Sequence, residues 1–171
     1  IIFLHSDDVF SDDDIIEKLV EPFFNDMSLV GVYGNIKFIK RSGSEVKVVR
    51  RWKSNRFESS SLDYGWMLPH TGLMVSKSVF VDIGKFDETF KIAGDYEFLL
   101  RFLSKYPNVH YLDVDITEML IGGVSTAFQY NSLVQKFWED VYALNLNNAR
   151  YPVMTAFWKR MRKVEQYITR W

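Results

Sequence analysis

Two adjacent carboxylates, Asp7 and Asp8, stand near the start of the chain, and their types and spacing suggest metal chemistry. Neighbouring carboxylates repel one another unless a positive group neutralises them, and Mg²⁺ or Mn²⁺ prefers hard oxygen ligands of this kind. The pair therefore predicts a site for a divalent cation. A solvated acidic turn ahead of a helix is the alternative that this stretch leaves open.

The elements around this pair would place it at the edge of a sheet. Residues 1–4 form a continuous apolar run, which is typical of a strand buried on both faces of a parallel sheet. Ligands of open α/β sheets bind just beyond the carboxyl ends of such strands. Ser11 is predicted to cap a helix whose first turn carries the acids 12–14, and Pro22 is predicted to end or kink that helix.

The remaining patterns alternate between strand and helix, and so they predict an α/β fold. Apolar and alternating runs predict strands at 29–40, 45–51, 109–112 and 116–121. Ser76 and Gly84 bracket a short predicted helix, and Gly94 opens another. Helical periodicity then extends from about residue 132 to the end of the chain. We therefore predict a mixed sheet flanked by helices, with a C-terminal helical tail.

The composition narrows the class of protein. The 171 residues carry a formal net charge of -1, so the overall charge does not argue for a nucleic acid partner. With 47% hydrophobic and 25% charged residues, the chain can build one globular core. The lack of cysteine excludes disulfides, thiolate metal ligands and thiol nucleophiles. No apolar run in the sequence approaches the length of a membrane span.

Several familiar catalytic and nucleotide-binding motifs are absent from the sequence. It contains no G-x-x-x-x-G-K-[ST] phosphate loop, no G-x-G-x-x-G, no G-x-S-x-G and no H-E-x-x-H. His5, His70 and His110 are too scattered along the chain to indicate a zinc site. The chemistry that remains is a carboxylate-bound divalent metal, with a further carboxylate available as a base.

Six short segments, spread over about residues 1–125, occur in an order that resembles the glycosyltransferase family 2 enzymes. They read IFLHSDD, VYGN, LPHTG, GKFDE, AGDYEFLLR and GGVS. The resemblance implies a GT-A-like, Rossmann-related fold. It also implies a metal-dependent, inverting transfer of a sugar from a nucleotide-sugar, with a UDP-sugar favoured, to a hydroxyl acceptor. The implied setting is bacterial polysaccharide or cell-surface glycan synthesis.

The resemblance also implies roles for particular residues. Asp7 and Asp8 match the acids that hold Mg²⁺ or Mn²⁺ against the nucleotide diphosphate. Asp95 matches the catalytic base that takes a proton from the acceptor hydroxyl. His70 and Ser125, the latter in the loop 122–125, match positions that line the donor cleft.

Two positions depart from the family pattern. His5 stands where many members carry an acid of the metal motif, and Gly94 stands where many carry an acid before the base. Glu97 offers a second carboxylate one turn along on a neighbouring face of the same predicted helix.

The resemblance divides the chain into a partial GT-A domain, residues 1–128, and a C-terminal helical extension, residues 129–171. We expect the first strands of the family's fold to precede residue 1, which would leave the sheet incomplete at its N-terminus. Two alternatives remain. One is a non-catalytic fragment that binds a sugar-nucleotide or a partner protein. The other is a metal-dependent phosphotransferase or nucleotidyltransferase.

The last predicted helix has an apolar side and a basic side. Its apolar positions recur at three-to-four spacing, and the basic residues include Arg150, Lys159, Arg160, Arg162 and Lys163. We predict that the apolar side packs against the catalytic domain or against a second copy in a homo-oligomer. The alternative is peripheral contact with an anionic membrane, where a glycan or lipid-linked acceptor would be met. We expect a cytoplasmic protein, or one at the inner face of the membrane.

Overall fold

Strand β2, Gly31–Ser42, is the centre of the sheet in the computed structural model, which describes residues 1–43, 45–121 and 130–168. The other strands are β1 Asp8–Phe10, β3 Glu45–Trp52, β4 Leu73–Val75 and β5 Val109–Leu120. β2 runs parallel to β5 on one side and antiparallel to β3 and β4 on the other. β1 pairs antiparallel with the far side of β5. The predicted mixed sheet is confirmed.

Helices lie on both faces of this sheet. They are α1 Ile15–Asn25, α2 Lys77–Ile83, α3 Gly94–Lys105, α4 Tyr130–Leu146 and α5 Pro152–Ile168. Successive residues of a strand point to opposite faces. Accordingly Val32 of β2 packs with Ile15 and Leu19 of α1, whereas Tyr33 belongs to the larger core that includes Leu99 of α3. The predicted flanking helices and the C-terminal helical tail are confirmed.

The strand predicted over residues 1–4 is wrong. Only an isolated bridge from Ile2 to Met74 forms there, and backbone hydrogen bonds join Ile1 to Val75. The reason is that β2 already has β5 on one side and β3 and β4 on the other, so the N-terminal residues reach only the outer edge of β4. Asp8 therefore does not follow a central strand. It is the first residue of β1.

Helix α1 begins later than predicted. Its N-cap is Asp14, which makes no side-chain capping bond, so the cap predicted at Ser11 is wrong. Pro22 lies inside the helix, which continues to Asn25. An interior proline removes one hydrogen bond to the carbonyl four residues earlier, and its ring crowds that carbonyl. Pro22 therefore does not end the helix where it stands, and the helix runs on for three more residues, to Asn25.

The two strands predicted at 109–112 and 116–121 form one continuous strand, β5. Its register against β2 shifts on both sides of Asn35, which is fully buried. The Asn35 amide donates to Asp113 Oδ1 at 2.9 Å, and its oxygen accepts the backbone N–H of Ser54 at 2.9 Å. The buried Asn35 side chain thus forms hydrogen bonds both with Asp113, in the irregular stretch of β5, and with Ser54, just after β3.

Buried polar contacts join α4 and α5 to the sheet domain. Lys159 Nζ of α5 lies 2.7 Å from Asp140 Oδ1 of α4, and it also lies 3.2 Å from the centre of the Tyr96 ring on α3. Arg160 Nη1 adds a second ion pair with Asp140 at 3.1 Å. Burial lowers the pKa of Lys159, although the Asp140 carboxylate opposes that shift. The domain boundary predicted between residues 128 and 129 lies outside the described residues.

The apolar side of α5 faces outward. Six of its side chains are between 45% and 57% exposed: Val153, Met154, Phe157, Trp158, Met161 and Val164. The helix instead uses Thr155, Ala156 and Lys159 as its buried side. Packing against the sheet domain, one of the two partners predicted for the apolar side, therefore does not cover it. No helix within the described ranges is long and apolar enough to cross a membrane.

Gly65 tests how closely the backbone of α5 packs against the segment that contains this glycine. Its φ is +68°, and a Cβ added there would lie 2.5 Å from the backbone nitrogen of Lys159. Gly43 has a φ of +61° with nothing within 4 Å of such a Cβ, so it is a matched control for the backbone conformation alone. We expect Gly43→Ala to lower the free energy of unfolding by about 1–2 kcal/mol. We expect Gly65→Ala to lower it by about 1–3 kcal/mol more, because α5 must move.

Urea unfolding of the two variants beside the wild type measures this difference. Equal losses of stability in the two variants would mean that α5 does not rest on Gly65.

Candidate functional site

Four side chains form a continuous series of contacts from Asp8 to Asp95. His5 Nδ1 lies 3.6 Å from Asp8 Oδ2. His5 Nε2 lies 3.3 Å from His70 Nε2. At the other end, His70 Nδ1 lies 3.5 Å from Asp95 Oδ2. This Asp8–Asp95 series brings together three of the residues predicted from the sequence, and His5 is the link between them.

Separate elements hold the members of the series in place. Asp8 begins β1, and Asp95 lies in the first turn of α3. His70 begins a short 3₁₀ helix, His70–Gly72, which is tied to β5 because the Thr117 hydroxyl donates to the Thr71 carbonyl at 2.7 Å. Residues at the edge of the sheet and at the start of a helix therefore converge on one place.

The loop ahead of Asp95 is fixed by a carboxylate from α4. Glu139 Oε2 accepts the backbone N–H groups of Ile92 and Ala93, at 2.8 and 2.9 Å. These hydrogen bonds lower the pKa of Glu139, although its burial acts in the opposite direction. The start of α3, and with it Asp95, is thereby attached to the C-terminal helices.

Asp8 is the most buried acid of the series, with 6% of its surface exposed. Its Oδ2 atom is buried and accepts no hydrogen bond from the described residues. Burial raises the pKa of the Asp8 carboxyl, and Asp7 adds to that rise while His5 opposes it. Asp7 is exposed in the turn before β1. The two acids therefore differ in environment, and Asp8 is the one that lies in the series.

The two imidazoles share one hydrogen. Their Nε2 atoms face each other at 3.3 Å, so one ring must donate and the other must accept. Burial lowers the pKa of His70; Asp95 raises that pKa and His5 lowers it. The distances of 3.5 and 3.6 Å from the two rings to the two carboxylates are longer than those of ordinary hydrogen bonds.

The two oxygens of Asp95 have different surroundings. Oδ1 accepts the backbone N–H of Tyr96 at 2.8 Å, whereas Oδ2 faces His70. The side chain is 31% exposed. Oδ2 accepts no hydrogen bond from the described residues.

His70 and Asp95 separate two cavities. The first has a volume of about 500 Å³ and includes Phe3, His5 and Phe86 in its lining. The second, of about 170 Å³, is lined instead by the basic residues Arg50, Lys136, Lys159 and Lys163. We call the second cavity the basic cleft. His70 and Asp95 line both.

The donor set at Asp8 suits a hard cation only with help from a ligand. Among the described residues, no group of three or more His, Asp and Glu side chains could hold a metal ion. Mg²⁺ is commonly bound by one or two carboxylates and by the phosphates of a substrate, and the buried Asp8 Oδ2 is an acceptor without a donor. The buried Asp8 Oδ2 therefore offers one carboxylate oxygen to a cation that brings further oxygen ligands with it, such as those of a phosphate.

Other residues named from the sequence lie apart from this site. Glu97 is buried, and both its oxygens accept hydrogen bonds from Arg101, so it offers no second carboxylate to the site. His110 lines a different cavity beside α1. Ser125 and the loop 122–125 lie outside the described residues.

The sequence analysis did not identify Lys136 of α4 as a candidate. It named Lys159 and Lys163, but as part of an outward basic surface, whereas both line the basic cleft. The spacing of Lys159 and Lys163, one helical turn apart, was a usable signal because such residues share a face. The pattern alone did not show which face was buried.

No protein-family model and no curated protein matches the chain. The family resemblance therefore remains a prediction that rests on the order of the six motifs.

Histidine titration by NMR tests the geometry of the series. We expect His5→Gln to raise the pKa of His70, because a neighbour that lowers it is removed. We expect Asp95→Asn to lower that pKa, because the carboxylate that favours the charged ring is lost. The His110 ring is an internal reference outside the series. Shifts of the same sign in both variants, or no shift in either, would contradict the geometry.

Proposed function

We propose that the protein is a metal-dependent, inverting glycosyltransferase with a GT-A-like fold, which transfers a sugar from a nucleotide-sugar to a hydroxyl acceptor. The observation that carries this proposal is the Asp8–Asp95 series. It joins the acid proposed to hold the metal to the acid proposed as the base, although 87 positions separate them in the sequence, since 95 − 8 = 87. The order of the six motifs supports the same function.

Asp8, with Asp7 beside it, is proposed to hold Mg²⁺ or Mn²⁺ together with the donor diphosphate. When bound, such a cation neutralises charge on the diphosphate as the sugar–phosphate bond breaks. The protein's own contribution is a buried Asp8 Oδ2 without a hydrogen-bond donor and a His5 ring beside it. The His70 ring then links this end of the site to the base.

Asp95 is proposed as the general base. Its Oδ2 takes the proton of the acceptor hydroxyl as that oxygen forms a bond to the anomeric carbon, and the bond from that carbon to the diphosphate oxygen breaks. One direct displacement of this kind inverts the anomeric configuration. The Tyr96 N–H holds Oδ1 and so orients the carboxylate. Burial lowers the pKa of the His70 ring, which lies 3.5 Å from Oδ2.

Two pairs of acids make a sharp binding test. Asp7→Asn/Asp8→Asn is compared with Asp12→Asn/Asp13→Asn, which removes the same charge from two exposed acids in the neighbouring loop. We expect UDP to bind in the presence of Mn²⁺ and the first variant to lose about tenfold or more in affinity, because each charge-assisted contact contributes about 1.5–3 kcal/mol. The second variant should stay within about twofold of the wild type. Calorimetric titration measures all three.

Turnover separates the base from the metal site. We expect Asp95→Asn to retain metal-dependent UDP binding and to lower the rate of sugar transfer by about 10²–10⁴-fold. Release of nucleoside diphosphate from a panel of UDP-sugars is the measurement. Release of pyrophosphate instead would favour the phosphotransferase or nucleotidyltransferase alternative. Binding without any turnover by the wild type would favour the non-catalytic alternative.

The outward apolar side of α5 supports a proposal for where the acceptor is met. We propose that it contacts a membrane surface, because Trp158 and Phe157 are half exposed and Arg150 and Arg162 lie on the same helix or just before it. Aromatic and basic residues in this arrangement are typical of helices that lie in the membrane interface.

Vesicle co-sedimentation tests this contact. We expect Phe157→Ser/Trp158→Ser to reduce binding to vesicles that contain anionic lipid. Phe24→Ser/Met27→Ser, which removes two exposed apolar side chains near the end of α1, should not. Equal binding by both variants would remove the membrane proposal. Self-association that only the first variant loses would assign the face to a second copy of the chain.

A further inference from the structure

The basic cleft shares His70 and Asp95 with the first cavity, but His5 lines only the first cavity. The cleft is bounded by β3, α4 and α5, through Arg50, Lys136 and Lys163. Its volume of about 170 Å³ is far larger than the roughly 15 Å³ that one water needs. The cleft is therefore a ligand-sized space and not a packing defect.

The lysines of the cleft differ in whether an acidic side chain pairs with them. Lys159 is paired with Asp140, at 2.7 Å. Lys136 and Lys163, both half-buried, form no ion pair with any side chain in the described ranges. Burial, followed by the charges of Lys136 and Arg50, lowers the pKa of Lys163 to about 8. Like charges held together at a partly buried site oppose folding, and an anion between them would reverse that effect.

The positive charge continues beyond the cleft. An adjoining cavity of about 290 Å³ shares Lys159 and Lys163 with it and adds Arg51, Lys53 and Arg162. The buried Gln166 Oε1 atom on this side has no hydrogen-bond partner among the described residues. Asp95 is the one acidic side chain in the described lining of the basic cleft. The cleft is thus a basic chamber with the proposed base at its wall.

We propose that the basic cleft binds the diphosphate of a phosphorylated acceptor, with Lys136 and Lys163 as its principal contacts. This inference rests on the proposed glycosyl transfer, because it takes Asp95 to be the base between two substrates. His5, which contacts Asp8, lines the first cavity, whereas Lys136 and Lys163 line the basic cleft. Asp95 lines both cavities, and we therefore assign the donor to the His5 side and the acceptor to the cleft. Lysine ammonium groups are established phosphate binders.

Inorganic pyrophosphate in the presence of EDTA is the probe for the cleft, since the chelator removes any metal-mediated binding. Lys136→Gln/Lys163→Gln is compared with Lys40→Gln/Lys47→Gln, which removes the same charge from two exposed lysines of the β2–β3 hairpin. We expect the cleft variant to lose about tenfold or more in affinity and the control to stay within about twofold. We expect Asp95→Asn to bind pyrophosphate more tightly, a gain that misfolding cannot produce.

Thermal unfolding shows whether the cleft lysines have a structural role. We expect Lys136→Gln/Lys163→Gln to melt at or above the temperature of the wild type, because the substitutions remove repulsion between like charges. A lower melting temperature would mean that the lysines stabilise the fold, and it would count against a ligand site.

A reciprocal comparison tells the two phosphate sources apart. We expect Asp7→Asn/Asp8→Asn to lose metal-dependent UDP binding and keep metal-free pyrophosphate binding. We expect Lys136→Gln/Lys163→Gln to keep metal-dependent UDP binding and lose metal-free pyrophosphate binding.

Other outcomes would contradict one proposal or the other. If the lysine variant also loses metal-dependent UDP binding, the cleft holds the donor diphosphate and the acceptor assignment is overturned. If pyrophosphate binds the wild type and the lysine variant equally, the cleft proposal fails while the proposed function stands. If only pyrophosphate binding is seen, the cleft is an anion site, but the proposed function fails and the acceptor assignment fails with it.

Discussion

The buried ion pair between Lys159 and Asp140 is the interaction on which the rest of the site depends. It holds α5 against α4 and places the Lys159 ammonium over the Tyr96 ring at the start of α3. Removing one partner of such a pair leaves an uncompensated buried charge, which typically destabilises a protein by about 3–5 kcal/mol. The pair also brings Lys163, one turn further along α5, to the cavity wall that contains Asp95.

Local sequence signals predicted much of the fold. The hairpin of β2 and β3 followed from alternating apolar residues around a turn, and the start of α3 at Gly94 followed from its apolar periodicity and first-turn acids. The strand at 1–4 could not be judged in this way. Whether an apolar run enters a sheet depends on which edges are already occupied, and in this fold β4 and β5 occupy both sides of β2 at Gly31–Tyr33.

The site was predictable residue by residue but not as an arrangement. Asp7, Asp8, His70 and Asp95 were named from adjacency or from motif order. The contact between His5 and His70 spans 65 positions and depends on how the N-terminal segment crosses the edge of the sheet, which no local pattern encodes. The inward direction of Lys159 was likewise hidden, because a helix with one apolar and one basic side is expected to bury the apolar side. In this fold α5 buries Thr155, Ala156 and Lys159 instead.

The central claim is that Asp8 and Asp95 belong to one site that takes a cation-bound nucleotide diphosphate on the Asp8 side. Anomalous diffraction from a crystal grown with UDP and Mn²⁺ tests this most directly, because it locates the metal without reference to activity. The account predicts a manganese peak in direct contact with the Asp8 carboxylate, with the diphosphate bound to the same ion. A peak at other residues with UDP bound there, or ordered UDP with no metal near Asp8, would contradict it.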